Sequence, residues 1–283
     1  NLAIPLVAIV DTGLMGNLDD ASYLTATSIA SSLFSMIFWS FGFLRMGTVG
    51  MAAQAYGSNQ YNEIVDLVIR NITFVIVISL LLIFLQHFIF NLGLQIFDLS
   101  NDTEKYFKDY FDIRIYSSFG ELTIYVITGL FIGLQKTKTS SVVVGFFSVT
   151  NIIFSLFFVL YFNLNVTGVA LGTLVSSTLT SFIFLIYTFF ELKKLTNINF
   201  DIKKIFNVKK IQNIFNINFN IFIRTVLLTF SFLFFTYLGN TISEDVVAAN
   251  TILINLIFLS AFILDAYAFS TEGIVGYSIG SKN

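Results

Sequence analysis

The chain is dominated by long apolar stretches that contain almost no charge, and this limits the solvents in which it can fold. About 20 mostly apolar residues cross the roughly 30 Å hydrocarbon core of a bilayer as a helix. Eight such stretches follow one another, near residues 1–18, 24–55, 67–92, 110–134, 140–161, 166–190, 213–238 and 246–280. The second and eighth exceed a single crossing, which predicts tilt, a kink or a helical extension beyond the membrane. Only 11% of residues are charged and 56% are apolar, with 35 Phe, so a water-facing surface cannot be covered. Lipid requires no such cover but does require every backbone group to be paired internally, which predicts an all-α integral membrane protein, a polytopic helical bundle.

The placement of charge predicts an orientation. Lys136 and Lys138 fall between the fourth and fifth stretches. Lys193, Lys194, Lys203, Lys204, Lys209 and Lys210 fall between the sixth and seventh, and Lys282 follows the eighth. All these loops lie on one side, which the positive-inside rule makes cytoplasmic, with the N-terminus. Asp19, Asp20, Asp98, Asp102, Glu104, Glu244 and Asp245 fall on the other side, with Lys105 and Lys108. The basic 191–212 segment reads as a solvated linker that divides a 1–190 lobe from a 213–283 segment. The chain opens on Asn1 at the start of an apolar stretch, and both ends read as cut.

A shift of 223 residues lays the chain on itself. Gly16-Asn17 then falls on Gly239-Asn240, Ala26 on Ala249, Ile29 on Ile252 and Leu33 on Leu256. Thr48 falls on Thr271, Gly50 on Gly273 and Gly57-Ser58 on Gly280-Ser281. Six stretches separate the two copies, so both cross in the same direction. That is a parallel repeat about an axis along the membrane normal, an arrangement used for alternating access. Two six-helix lobes are expected, with the second stopping here after two helices.

Several stretches now carry a resemblance. PLVAIVDTGLMGNL (Pro5 to Leu18) and FLRMGTVGMAAQAYGSN (Phe43 to Asn59) resemble the DinF-like branch of the MATE multidrug and toxic compound extrusion family. So do ITGLFIGLQKTKT (Ile127 to Thr139), NLNVTGVALGTLVSS (Asn163 to Ser177) and ILDAYAFSTEGIVGYSIGSKN (Ile263 to Asn283). The resemblance implies a twelve-helix, two-lobed antiporter that exports amphipathic organic cations in exchange for protons or sodium. It further implies a monomer in the bacterial inner (plasma) membrane, in contact with lipids.

Asp11 sits near the middle of the first stretch. A carboxylate there must face the bundle interior, water, a cation or a proton, and intramembrane acids are functional by default. The structural alternative is a buried Asp tied to backbone donors. The resemblance implies a cation-coupling site at Asp11 that continues through Asn151, Ser155 and Thr173. Ser155 stands where the family has Asp, a loss of negative charge that weakens a sodium site at Asp11 more than a proton site. Without the resemblance, Asn151 and Thr173 read as polar bridges between helices.

Arg45, Gln54, Asp265 and Glu272 are candidates for a substrate path. Arg45 suits either snorkelling to headgroups or an interior ion pair, and Arg224 is in the same position. Asp265 and Glu272 are seven residues apart and so share a helix face, although Glu272 could instead pair with an interfacial Lys. His87 reads as an interface residue, and Glu121 has no counterpart in the family. One His and no Cys leave no material for zinc sites or catalytic triads. There is no Gly-x-x-x-x-Gly-Lys loop for ATP and no basic field for nucleic acid. No cofactor and no enzymatic activity are expected. A lipid-linked oligosaccharide flippase is the competing transporter reading, but flippase cavities favour cationic residues, and the mid-membrane charges of the first and eighth stretches are acids. A non-functional transporter fragment is a further alternative.

Overall fold

The computed structural model describes the backbone over residues 3–17, 21–97, 99, 101–196, 202–242 and 244–282. Asp19, Asp20 and Asp98, named above for the acidic side, lie outside the described residues, as does 197–201 of the linker. The described residues contain helices and no strand.

The helices are α1 (Ala3–Gly16), α2 (Ala21–Ser40), α3 (Phe43–Gly57), α4 (Tyr61–Phe84), α5 (Gln86–Phe97) and α6 (Asn101–Arg114). They continue as α7 (Ser118–Gly133), α8 (Thr137–Leu156), α9 (Asn165–Leu195), α10 (Ile202–Ile205), α11 (Val208–Ile242) and α12 (Glu244–Ser281). Six helical segments among the described residues are long and apolar enough to cross a membrane: 22–57, 61–84, 101–133, 137–161, 165–195 and 208–232. The first and eighth stretches are also helical, as α1 and α12. Large apolar side chains point outward, as at Leu80, Phe84 and Leu227, which suits a surface bathed in lipid. The 191–212 segment is helical at both ends. Lys193 and Lys194 close the last turn of α9, while Lys209 and Lys210 open α11.

The repeat reappears in the element boundaries. Shifting α2 and α3 by 223 residues lays them on α12 to within one residue at each end. The first copy breaks at Phe41 and Gly42, whereas the second runs unbroken through Leu264 and Asp265. Both copies end in the left-handed region at equivalent positions, Asn59 at φ 57° and Lys282 at φ 58°, a common way to stop a helix.

The two copies also cross at equivalent residues. A Cβ on Gly57 would lie 2.1 Å from the Tyr277 carbonyl oxygen, and one on Gly280 would lie 2.2 Å from the Gln54 carbonyl oxygen. Gly57 corresponds to Gly280 and Gln54 to Tyr277, so each contact is the image of the other, as in a two-fold interface. Ala53 meets its own equivalent, Gly276, which places the local axis between them. Small residues let membrane helices approach this closely. Gly57→Leu should part α3 and α12 and lower stability by about 1–3 kcal/mol. Thermal unfolding in detergent reads the loss, and an unchanged midpoint would place the crossing elsewhere.

The basic loops gather at one end. Glu191 of α9 pairs with both Lys136 and Lys194. Beside them Arg70 of α4, only 2% exposed, pairs with Glu63 at 2.8 Å and with Asp66 at 3.5 Å. Its guanidinium also donates to the carbonyls of Lys204, at 3.3 Å, and Ile205 in α10. Lys210, in the first turn of α11, pairs with Glu63. One buried arginine therefore fastens the linker to α4.

Candidate functional site

Two polar groupings lie within the bundle. The first joins α1, α6, α7, α8 and α9. The Ser155 hydroxyl of α8 interacts with the Asp11 carboxylate of α1, whose Oδ1 is buried with no hydrogen-bond partner. Ser155 and Asn151 are one turn apart and both fully buried, their Oγ and Oδ1 atoms 3.5 Å apart. Asn151 Nδ2 donates to Thr173 Oγ1 of α9 at 3.0 Å. The four residues Asp11, Asn151, Ser155 and Thr173 therefore form one connected chain of polar groups.

The helices holding this chain are drawn together by a missing side chain. A Cβ on Gly172 would lie 2.5 Å from Ser155 Oγ and 2.7 Å from its backbone nitrogen. The close approach of α8 and α9 places Thr173 within reach of Asn151.

A charge pair that the sequence reading did not identify stands beside Asp11. Between α6 and α7 the chain tightens into a 3₁₀ turn, Ile115–Ser117. Arg114 just before it and Glu121 just after it form an ion pair. Ser117 Oγ lies 3.0 Å from Glu121 Oε1 and is bonded to Arg114 as well. The guanidinium sits over Phe34 and Phe38, at 5.3 Å and 5.2 Å from the ring centres. It interacts with the Tyr110 hydroxyl, which in turn lies 3.1 Å from Ser31 Oγ. Arg114 is also the charge that acts most strongly on Asp11. Glu121 thus has a partner seven residues back along the chain, a spacing that places both on one helix face.

The second grouping lies where α3 faces α12. Arg45 is half-buried, with its guanidinium 4.1 Å from the centre of the Phe269 ring and 5.9 Å from that of Tyr125. Its Nε is buried and has no hydrogen-bond partner. Asp265 and Glu272 both act on it electrostatically. The Arg45 guanidinium thus lies against an aromatic ring between α3 and α12. Arg224 of α11 acts on Glu272 and lies 3.6 Å from the Met46 sulfur. The charges that act on Glu272 are those of Arg45 and Arg224. Gln54 is not gathered into this group. It is exposed and lines a cavity of about 420 Å³ with Ser58, Glu63, Arg70, Lys210 and Asn213. His87 is exposed at the start of α5.

Apolar helices wrapped around partly buried carboxylates and arginines define a helical membrane bundle with a polar interior. The MatE family profile matches residues 1–157, and the chain belongs to the MatE family, whose members are transporters. It is 27% identical over all 283 residues to the DNA damage-inducible protein F of Escherichia coli K12, spanning 61% of that protein. An outward-facing multidrug resistance MATE family transporter superposes with a TM-score of 0.86 at 17% identity, over 99% of this chain and 62% of that one. The same figures hold for a MOP superfamily transporter from Pyrococcus furiosus, described by a binding pocket of reversed polarity. A mutant of the Vibrio cholerae MATE transporter VcmN superposes with a TM-score of 0.83 at 17% identity, over 99% of this chain and 63% of that one. The chain spans about three fifths of the length of these relatives.

Proposed function

We propose that the chain forms the first lobe and the start of the second lobe of a secondary antiporter in the bacterial inner membrane. It exports amphipathic organic cations in exchange for protons, with the basic end of the bundle in the cytoplasm. The 1–190 part serves as the N-lobe, 191–212 as the linker and 213–283 as the opening of the C-lobe. The observation that carries this reading is the Asp11 carboxylate, held among Ser155, Asn151 and Thr173 with one oxygen unpartnered in the interior.

The choice of proton over sodium follows from charge. A sodium ion requires several oxygen ligands and is held more tightly as their negative charge increases. The oxygens here come from one carboxylate and three neutral side chains. A proton needs only one unpartnered carboxylate oxygen.

The test is transport of a fluorescent organic cation by the intact protein in liposomes, under separately imposed proton and sodium gradients. A proton gradient should drive it and an equal sodium gradient should not. Ser155→Asp restores the second carboxylate and is expected to add sodium-driven transport, raising it at least about ten-fold over wild type, since ligand charge tunes cation affinity. Sodium-driven transport by the wild type would reverse the assignment.

A further inference from the structure

Asp265, Phe269 and Glu272 stand at i, i+4 and i+7 on α12, so acid, aromatic ring and acid form one stripe on a single helix face. Such a stripe suits an organic cation, since the ring face attracts positive charge and the carboxylates supply the opposite sign. A cation already occupies it, because the Arg45 guanidinium lies 4.1 Å from the Phe269 ring centre with both acids acting on it. The guanidinium is incompletely satisfied there, since its Nε is buried without a partner. It reaches across from the first repeat to the second, and the ring it covers is buried at 9% exposure.

We propose that the Phe269 face, backed by Tyr125 and flanked by Asp265 and Glu272, is a binding place for a lipophilic aromatic cation. Arg45 is the tethered resident cation that such a ligand displaces. This rests on the cation-exporter reading and specifies where the cation is held.

The charges are consistent with a singly charged ligand. With Arg45 and Arg224 both present, the two acids are balanced. When Arg45 withdraws, one negative charge is left uncompensated, which one monocation restores. Arg45 is long enough to swing its head toward the interface when displaced. With the site empty it returns, which avoids leaving two carboxylates in the interior beside a single arginine.

Competition by a tethered group has a characteristic signature, in that removing the competitor tightens binding. The probe is tetraphenylphosphonium, titrated into the intact protein in detergent micelles by calorimetry. Arg45→Gln should tighten binding on the order of ten-fold and Phe269→Leu should weaken it by a similar factor, the range of a desolvated cation–ring contact. Arg45→Lys keeps the charge but not the flat contact with the ring, and should fall between wild type and Arg45→Gln. It carries the test if Arg45→Gln does not fold. Wild-type binding that the Arg45 variants weaken or leave unchanged would overturn the inference and leave the exporter reading standing. Folded protein that binds no cation in any variant would overturn both.

Discussion

Asp11→Asn is expected to abolish gradient-driven export while leaving the protein folded and able to bind an organic cation. The amide has the shape of the carboxylate and can still interact with the Ser155 hydroxyl, so the contacts of α1 with α8 are kept. The variant loses the ability to carry a charge that a proton neutralises, which is the property expected of an intramembrane acid in a transporter. Transport under an imposed proton gradient should fall by at least about ten-fold, toward the leak rate of empty liposomes. Full proton-driven transport by Asp11→Asn would make Asp11 structural and move the coupling site elsewhere.

Breaking the Arg114–Glu121 pair should have the largest effect on stability. Arg114→Met leaves the Glu121 carboxylate in the interior with no guanidinium, and Glu121→Leu leaves the guanidinium without its ion-pair partner. Removing one member of a buried pair costs about 3–5 kcal/mol, whereas replacing both with apolar side chains is often close to neutral. The double variant Arg114→Met/Glu121→Leu should therefore recover most of what either single variant loses. Thermal unfolding of the four proteins in detergent measures this as a double-mutant cycle. Losses that simply add would show that the two side chains do not act as a pair.

The spans were legible in the sequence because burying a helix in lipid demands a long uncharged run. The repeat was legible because close helix crossings demand small residues at fixed places. Gly57 and Gly280 matched in the sequence, and in the structure they are mirrored contacts across one crossing. Asp11, Asn151, Ser155 and Thr173 were assembled through a family resemblance, and the structure joins them by contact.

Arg114 lies inside the fourth stretch, 110–134, close to the charges Lys108, Asp109 and Asp112, and was paired with nothing from the sequence. The helical segment in fact begins at Asn101, and the 3₁₀ turn within it aligns Arg114 with Glu121. The opposite charges seven residues apart were the available signal. Arg70 offered only part of its setting, since Glu63 and Asp66 stand seven and four residues before it, whereas the backbone carbonyls of Lys204 and Ile205 that also hold it lie more than a hundred residues along the chain. The stacking of Arg45 on Phe269 depends on how α3 meets α12, which neither helix alone specifies.

Antiport is reciprocal, because two ligands that exchange through one site must each be able to drive the other. The most direct measurement therefore runs the exchange backwards. Liposomes containing the intact protein are loaded with an organic cation and a trapped pH-sensitive dye, with no initial pH gradient, and diluted into cation-free buffer. Efflux of the cation should pull protons inward and acidify the lumen, and Asp11→Asn should abolish the acidification. Cation efflux through the wild-type protein with no change of lumenal pH would contradict proton-coupled export.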